Sequence, residues 1–196
     1  MKAFRRIQTA AVLAPLLFVT ACGQAQSTTH PVANQVDIGS NSPFQVRLNQ
    51  EVGTLDPLFD ATATKVSTVR VLSWNGTPET IHISSTPVAF VAYWCPHCQR
   101  FLTLLQNNWS AIQSHPAIVA TGFTANTTLT QAKTLFHQEE NALHFHFPHS
   151  DVYFLVDTAE SQRLVQAYPE LYFTKNQKVL TLIGEHELSI WKKALS

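Results

Sequence analysis

The sequence predicts a three-layer α/β domain with a central mixed sheet and a β-hairpin added at its N-terminal side. Three observations predict it. Two continuous apolar, β-rich runs, "VAFVAY" (88–93) and "AIVATGF" (117–123), read as central strands buried on both faces. Between them Phe101, Leu104, Leu105, Trp109 and Ile112 recur at helical spacing. Near the end, "ELYFT", the turn "KNQ" and "VLTLIG" form a hairpin, and the amphipathic "HELSIWKKAL" closes the chain. Strands alternating with helices, then a hairpin and a helix, give a sheet with helices packed on it.

The elements follow in order. "MKAFRR" is positively charged and "IQTAAVLAPLLFVTA" is an apolar stretch ending in small residues, which makes residues 1–21 a secretory signal. It is too short and too broken for a spanning helix. "VTAC" (19–22) resembles the bacterial lipobox, which implies that Cys22 is lipidated and becomes the mature N-terminus. Several acyl chains there anchor firmly where one would not. An ordinary cleaved signal or an N-terminal anchor is the other reading. Residues 22–43 are polar and lack apolar periodicity, as expected of a flexible tether, so the folded domain is expected over 44–196. The protein is then a cell-membrane lipoprotein whose domain faces the extracytoplasmic side.

Within the domain, "STVRVLSW" and "ETIHIS" alternate in the strand manner around the hairpin signal "NGTP". "SHP" ends the first helix before Pro116. Thr128 and Gln131 form a capping box for a helix running to about Asn141. "DVYFLVD" reads as a strand and "TAESQRLVQAY" as a short helix. "LHFHFPHS" reads as a half-exposed strand with its rings inward.

Composition bounds the function. Thirteen basic and thirteen acidic residues give zero formal charge, and nothing suggests the basic face that nucleic-acid binding needs. Charged residues make up 13 % of the chain, against about 25 % in typical soluble domains, so its surface polarity comes largely from Ser, Thr, Asn and Gln.

The chain has three cysteines. With Cys22 assigned to lipid, Cys95 and Cys98 remain, separated by Pro96 and His97. A disulfide over so short a loop stabilises little on the entropic model, which argues against a structural staple. The motif lies where a central strand meets its helix, at the carboxyl edge of the sheet, where open α/β folds place their sites. A cysteine at the helix N-cap meets backbone N–H groups without intrahelical partners and the positive end of the dipole. Such surroundings favour the thiolate. Pro96 suits the first helical position, and His97 adds a positive charge or a donor beside Cys95. Cys98, one turn on, is less exposed. Cys95 is therefore the expected nucleophile and Cys98 the resolving thiol.

Tyr93-Trp94-Cys95-Pro96-His97-Cys98 resembles the active site of the thioredoxin-fold oxidoreductases, over roughly residues 66–195. The leading hairpin and the extra strand–helix unit are similar to tethered proteins of the TlpA and ResA kind, and the Pro-His dipeptide is that of DsbA. The resemblance implies a thioredoxin-like fold with no cofactor, and a cis Pro169 preceded by Tyr168, which together with Trp94 would meet the substrate. It also implies protein thiols or disulfides as partners, and a membrane thiol transporter or quinone-linked oxidase as the electron partner. The dipeptide points to oxidation and the layout to reduction. The family often carries a buried acid six residues before the first cysteine. Here that place is Ala89, so water or another side chain must move the resolving cysteine's proton.

Rival readings use the same residues. Zinc needs four ligands and there is no second CxxC. His144, His146 and His149 could contribute, with ligand-like spacing from His146 to His149. Haem attachment needs His after the second cysteine, where Gln99 stands. A peroxiredoxin wants Thr or Ser at Ala92. From another class, a metal-delivery module could hold Cu(I) on Cys95, Cys98 and a histidine. An inactive adaptor using the Pro169 groove is a third. Trp94 is expected to be exposed, and Trp74, Trp109 and Trp191 to be core or interface filler.

Overall fold

A computed structural model describes the strands at 35–37 and 47–49 and the continuous stretch 54–196. The signal segment, Cys22 and most of the tether lie outside the described residues. β1 (Gln35–Asp37) pairs antiparallel with β2 (Arg47–Asn49) as a separate two-stranded sheet, and β1 falls within the stretch read as a tether.

The remaining elements are β3 (Thr62–Ala63), β4 (Thr68–Ser73), β5 (Pro78–His82), β6 (Val88–Ala92), α1 (Pro96–Asn107), β7 (Ala117–Thr121), α2 (Leu129–Leu143), β8 (Val152–Phe154), α3 (Thr158–Leu164), β9 (Glu170–Lys175), β10 (Lys178–Ile183) and α4 (Leu188–Ala194). Eight strands form one mixed sheet in the order β3-β10-β9-β6-β7-β8-β4-β5. β6, β7 and β8 run parallel, and β9 lies antiparallel beside β6. A parallel strand–helix–strand unit, joined to an antiparallel hairpin and a closing helix with β9 next to β6, is the thioredoxin-like arrangement. α2 and β8 extend it on one side, and the β4–β5 hairpin on the other side of β8 completes the sheet.

Strand alternation divides the core into two. Ala89, Val91, Ile118, Ala120, Leu171 and Phe173 face one layer with Phe101, Leu102, Leu135, Phe136 and Trp191. Val88, Phe90, Val119 and Tyr172 face the other, with Val69, Val71 and Leu164. The parallel steps β6→β7→β8 run in one direction, so right-handed crossovers place α1 and α2 on the same face. Leu164 puts α3 on the opposite face.

Local signals explain the turns. Asn176 and Gln177 adopt φ 51° and 60°, the left-handed pair that a tight hairpin with the sheet's twist demands. The Thr128 hydroxyl accepts from the Gln131 N–H, and the Gln131 side chain accepts from the Thr128 N–H, so the expected capping box is formed.

Two expectations are corrected. The helical spacing through Ile112 is not one helix: α1 stops at Asn107 and Trp109–Ala111 form a 3-10 turn. The Asn108 side-chain amide donates to the Leu104 carbonyl at 2.9 Å, competing with the backbone at the helix end. "LHFHFPHS" buries Phe145 and Phe147 as expected but is not a strand. His144, at φ 57°, is the left-handed cap of α2, and the Phe145 N–H returns to the Glu140 carbonyl, so the segment leaves the helix rather than joining the sheet. Among the described residues no helix is long and apolar enough to cross a membrane.

Candidate active site

β6 is buried throughout and ends at Ala92, delivering Tyr93 and Trp94 to the sheet's carboxyl edge. Cys95 is the N-cap of α1, extended at φ −90° and ψ 117°, with Pro96 at the first helical position. The Gln99 N–H donates to the Cys95 carbonyl, and the buried Gln99 side chain donates to the Tyr93 carbonyl at 2.9 Å, which ties the turn to the helix. The motif thus sits where the sequence placed it.

The two thiols are free and unequal. Cys98 is fully buried, and its sulfur accepts from the Ala92 N–H at 3.3 Å. Cys95 keeps 4 % of its surface, and its thiol points to the Tyr168 carbonyl at 3.6 Å. The hydrogen bond from the Cys98 side chain is the main force lowering the Cys95 pKa to about 7. The N–H groups of Cys98 and His97 and the charge of His97 act in the same sense, against burial. Burial, followed by the neighbouring Cys95, holds Cys98 well above the usual thiol range. The two sulfurs thus differ in proton affinity: Cys95 is shifted toward the thiolate and Cys98 toward the thiol.

The surround is assembled from three elements. The Tyr168–Pro169 bond is cis. The Tyr168 ring meets Trp94 edge to face at 5.6 Å, and Trp94, 47 % exposed, donates Nε1–H to the Gly122 carbonyl at 2.8 Å. Gly122 has φ +70°, and a Cβ there would lie 2.9 Å from that of Ala92, so this close approach of β7's end to the motif requires glycine. Behind it the hydroxyls of Thr121, Ser161 and Tyr168 form a chain, 2.8 Å and 3.2 Å apart. Of the other tryptophans, Trp191 is fully buried, while Trp74 and Trp109 are half-buried against the core.

The structure adds two acids. Glu139, on α2, is 1 % exposed, and its Oε1 has no hydrogen-bond partner. Burial first, then Cys95 and Glu140, raise its pKa to about 8, and Glu139 in turn contributes to the rise at Cys98. A signal existed in the sequence: Glu139 follows Ala132, Leu135 and Phe136 at helical spacing, so it lies on the core-facing stripe. Ala89 leaves a place for an acid unfilled, and only the packing of α2 brings one near the thiols. The second acid, Glu185, follows β10 and pairs with His97 and Arg100.

The histidines of "LHFHFPHS" gather elsewhere. His149 stacks on Trp74 at 3.7 Å, and His146 lies 3.4 Å from the Glu140 carboxylate. Among the described residues no three His, Cys, Asp or Glu side chains are grouped so as to hold a metal ion.

No family model matches the chain, and no curated protein does. Among solved structures it is similar to StoA from Bacillus subtilis, with 16 % identity and a TM-score of 0.47, covering 69 % of this chain and 100 % of that one. It is similar to the exposed lipoprotein thioredoxin Etrx1 of Streptococcus pneumoniae, at 18 % identity and TM-score 0.40, over 65 % of this chain and 93 % of that one. A secreted Mycobacterium tuberculosis disulfide oxidoreductase is also similar, at 16 % and 0.39, over 64 % and 91 %. At these values the strand order, rather than the likeness, carries the assignment of a thioredoxin-like fold.

Proposed function

We propose that this protein is a membrane-anchored, extracytoplasmic thiol–disulfide oxidoreductase that exchanges disulfides with protein substrates through Cys95 and Cys98. The observation that carries the reading is the inequality of the two sulfurs: a thiolate-prone Cys95 at a helix N-cap over a buried, protonated Cys98. Attack requires a thiolate that can be reached, and resolution requires a second thiol held in place beneath it.

In the reducing direction the Cys95 thiolate attacks one sulfur of a substrate disulfide, forming a mixed disulfide and releasing the other as thiolate. Cys98 then gives its proton to the Glu139 carboxylate and attacks Cys95, so the second substrate thiolate leaves and the Cys95–Cys98 disulfide forms. In the oxidising direction a substrate thiolate attacks Cys95, and Cys98 leaves, taking its proton from Glu139. The second substrate thiolate then attacks the first substrate sulfur, the substrate disulfide forms and Cys95 leaves as thiolate. Two electrons move in each case, and the same proton shuttles between Cys98 and Glu139. Once Cys95 is tied up in the mixed disulfide it carries no charge, and one of the forces that keep Glu139 protonated is gone. Passed to the substrate thiolate released in the first step, the Glu139 proton leaves a carboxylate that takes the proton of Cys98. Trp94, Tyr168 and Pro169 form the rim that a substrate peptide would touch, and lipid on Cys22 would hold the domain at the membrane, within reach of a membrane redox partner.

Cys98→Ser in the full chain tests the reading. Without the resolving thiol, mixed disulfides with substrates should accumulate on Cys95, seen as reductant-sensitive high-mass bands on non-reducing gels. Their absence, with Cu(I) binding merely weakened, would favour the metal-delivery reading instead.

A further inference from the structure

The redox motif is tied to the loop after β10 by three charged groups. The His97 Nδ1 lies 2.9 Å from Glu185 Oε2, and the same nitrogen lies 2.9 Å from Arg100 Nη2. Arg100 grips Glu185 as a fork, from Nε to Oε1 at 2.7 Å and from Nη2 to Oε2 at 2.6 Å. The Glu185 side chain is only 7 % exposed. Its backbone is fixed on both sides. Gly184, at φ +98°, donates its N–H to the Pro169 carbonyl at 2.9 Å, and the Glu185 carbonyl accepts from the Asp56 N–H at 2.9 Å. The carboxylate is therefore held against the motif by the same loop that braces the cis-proline.

These distances place one nitrogen under two opposed demands. A bare Nδ1 accepts from the Arg100 guanidinium, whereas a protonated Nδ1 donates to the Glu185 carboxylate. It cannot do both at once. Cys95 and Arg100 on α1 and Glu185 on the loop face the imidazole from the described residues. Burial opposes the Glu185 charge, but the bonds from Arg100 and His97 outweigh it and hold this carboxyl below the usual range, so it is an anion wherever the protein is folded near neutral pH. Charge on His97 is one of the forces that favour the Cys95 thiolate. A stabilised thiolate stabilises the dithiol form and so makes the disulfide form a stronger oxidant.

We infer that Glu185 sets the oxidising power of the Cys95–Cys98 pair by engaging His97 Nδ1 as a hydrogen-bond acceptor, in competition with the Arg100 guanidinium. The inference rests on the disulfide-exchange reading of the pair. Glu185 is a positioning residue, acting through His97 on a reaction in which the protein disulfide takes two electrons from two glutathione thiols. Oxidised glutathione forms, Cys98 keeps one proton, and Cys95 releases the other to solvent.

The test is the equilibrium of the full chain, in detergent, with reduced and oxidised glutathione, read as free protein thiols. Glu185→Gln should make the pair less oxidising, shifting the equilibrium constant about tenfold, ~30 mV for a two-electron couple. Arg100→Gln should shift it the opposite way, because the carboxylate then holds the imidazole unopposed. In a His97→Ala background Glu185→Gln should shift nothing. A merely structural role would move both single variants in the same direction. That result, or a Glu185→Gln shift that survives intact without His97, overturns the inference. Should Glu185→Gln not fold, Arg100→Gln with and without His97 carries the same test. A wild-type pair that does not exchange with glutathione overturns the exchange reading itself, whereas a wild type that exchanges with variants that disobey these signs overturns the inference alone.

Discussion

Glu170 and Glu139 are buried on opposite faces of the sheet and are treated differently. Glu170, on β9 in the layer that α3 covers, is wholly buried, and both of its oxygens are bonded. Oε2 accepts from the Gln166 N–H and Oε1 from the Thr181 hydroxyl, each at 2.7 Å. Glu139, in the layer shared with α1, is as deeply buried but keeps an oxygen without a partner, and its proton affinity is raised. A bonded buried acid holds a shape: here it fixes the loop between α3 and Pro169. An unbonded one costs stability and persists where its proton is of use. The two acids are told apart by their hydrogen bonds, not by their depth.

Glu139→Gln should break that contrast most strongly, removing the proton acceptor and slowing mixed-disulfide resolution about 10²-fold in a single-turnover assay. It should also stabilise the protein at raised pH. The folded-state pKa of Glu139 lies near 8, above the usual carboxyl value of 4.5, so between these values the unfolded chain has given up a proton that the folded chain keeps. Stability therefore falls as pH rises across that window. Glutamine removes the fall, by about 4 kcal/mol at pH 8 and almost nothing at pH 4, read from urea midpoints. A midpoint difference independent of pH would remove the contrast. Glu170→Ala should do the reverse, costing about 3 kcal/mol because a part-buried N–H and a buried hydroxyl lose their acceptor. Gly122→Ala should cost about 2 kcal/mol, from its left-handed φ and the contact with Ala92, and a rise in Trp94 fluorescence anisotropy decay rate would show the rim released. Thr128→Ala should be mildest, at about 1 kcal/mol for the lost cap of α2, and should leave Glu139 in place. A large loss of exchange activity in Thr128→Ala would mean that the helix start, not the acid, controls the site.

Much of the molecule was legible in its sequence because the signals were local. The β6 and β7 runs, the capping box at Thr128, the left-handed turn at Asn176 and Gln177, and the Cys-Pro-His-Cys helix start each depend on a few neighbouring residues. The misreadings arose where a local pattern was cut by a competing bond. Asn108 ended α1 before Trp109, and the left-handed His144 turned an alternating His-Phe stretch out of the sheet.

The sequence by itself determined the sheet's central strands and the placement of the Cys-Pro-His-Cys motif at a helix N-cap, because helix-start preferences and side-chain periodicity act over one turn of chain. Only the tertiary structure decided which acids reach that motif. Glu139 lies 41 positions beyond Cys98 and Glu185 lies 88 beyond His97. Neither spacing carries a signal, since electrostatic coupling depends on distance in space, and packing of α2 and of the β10 loop against α1 sets that distance.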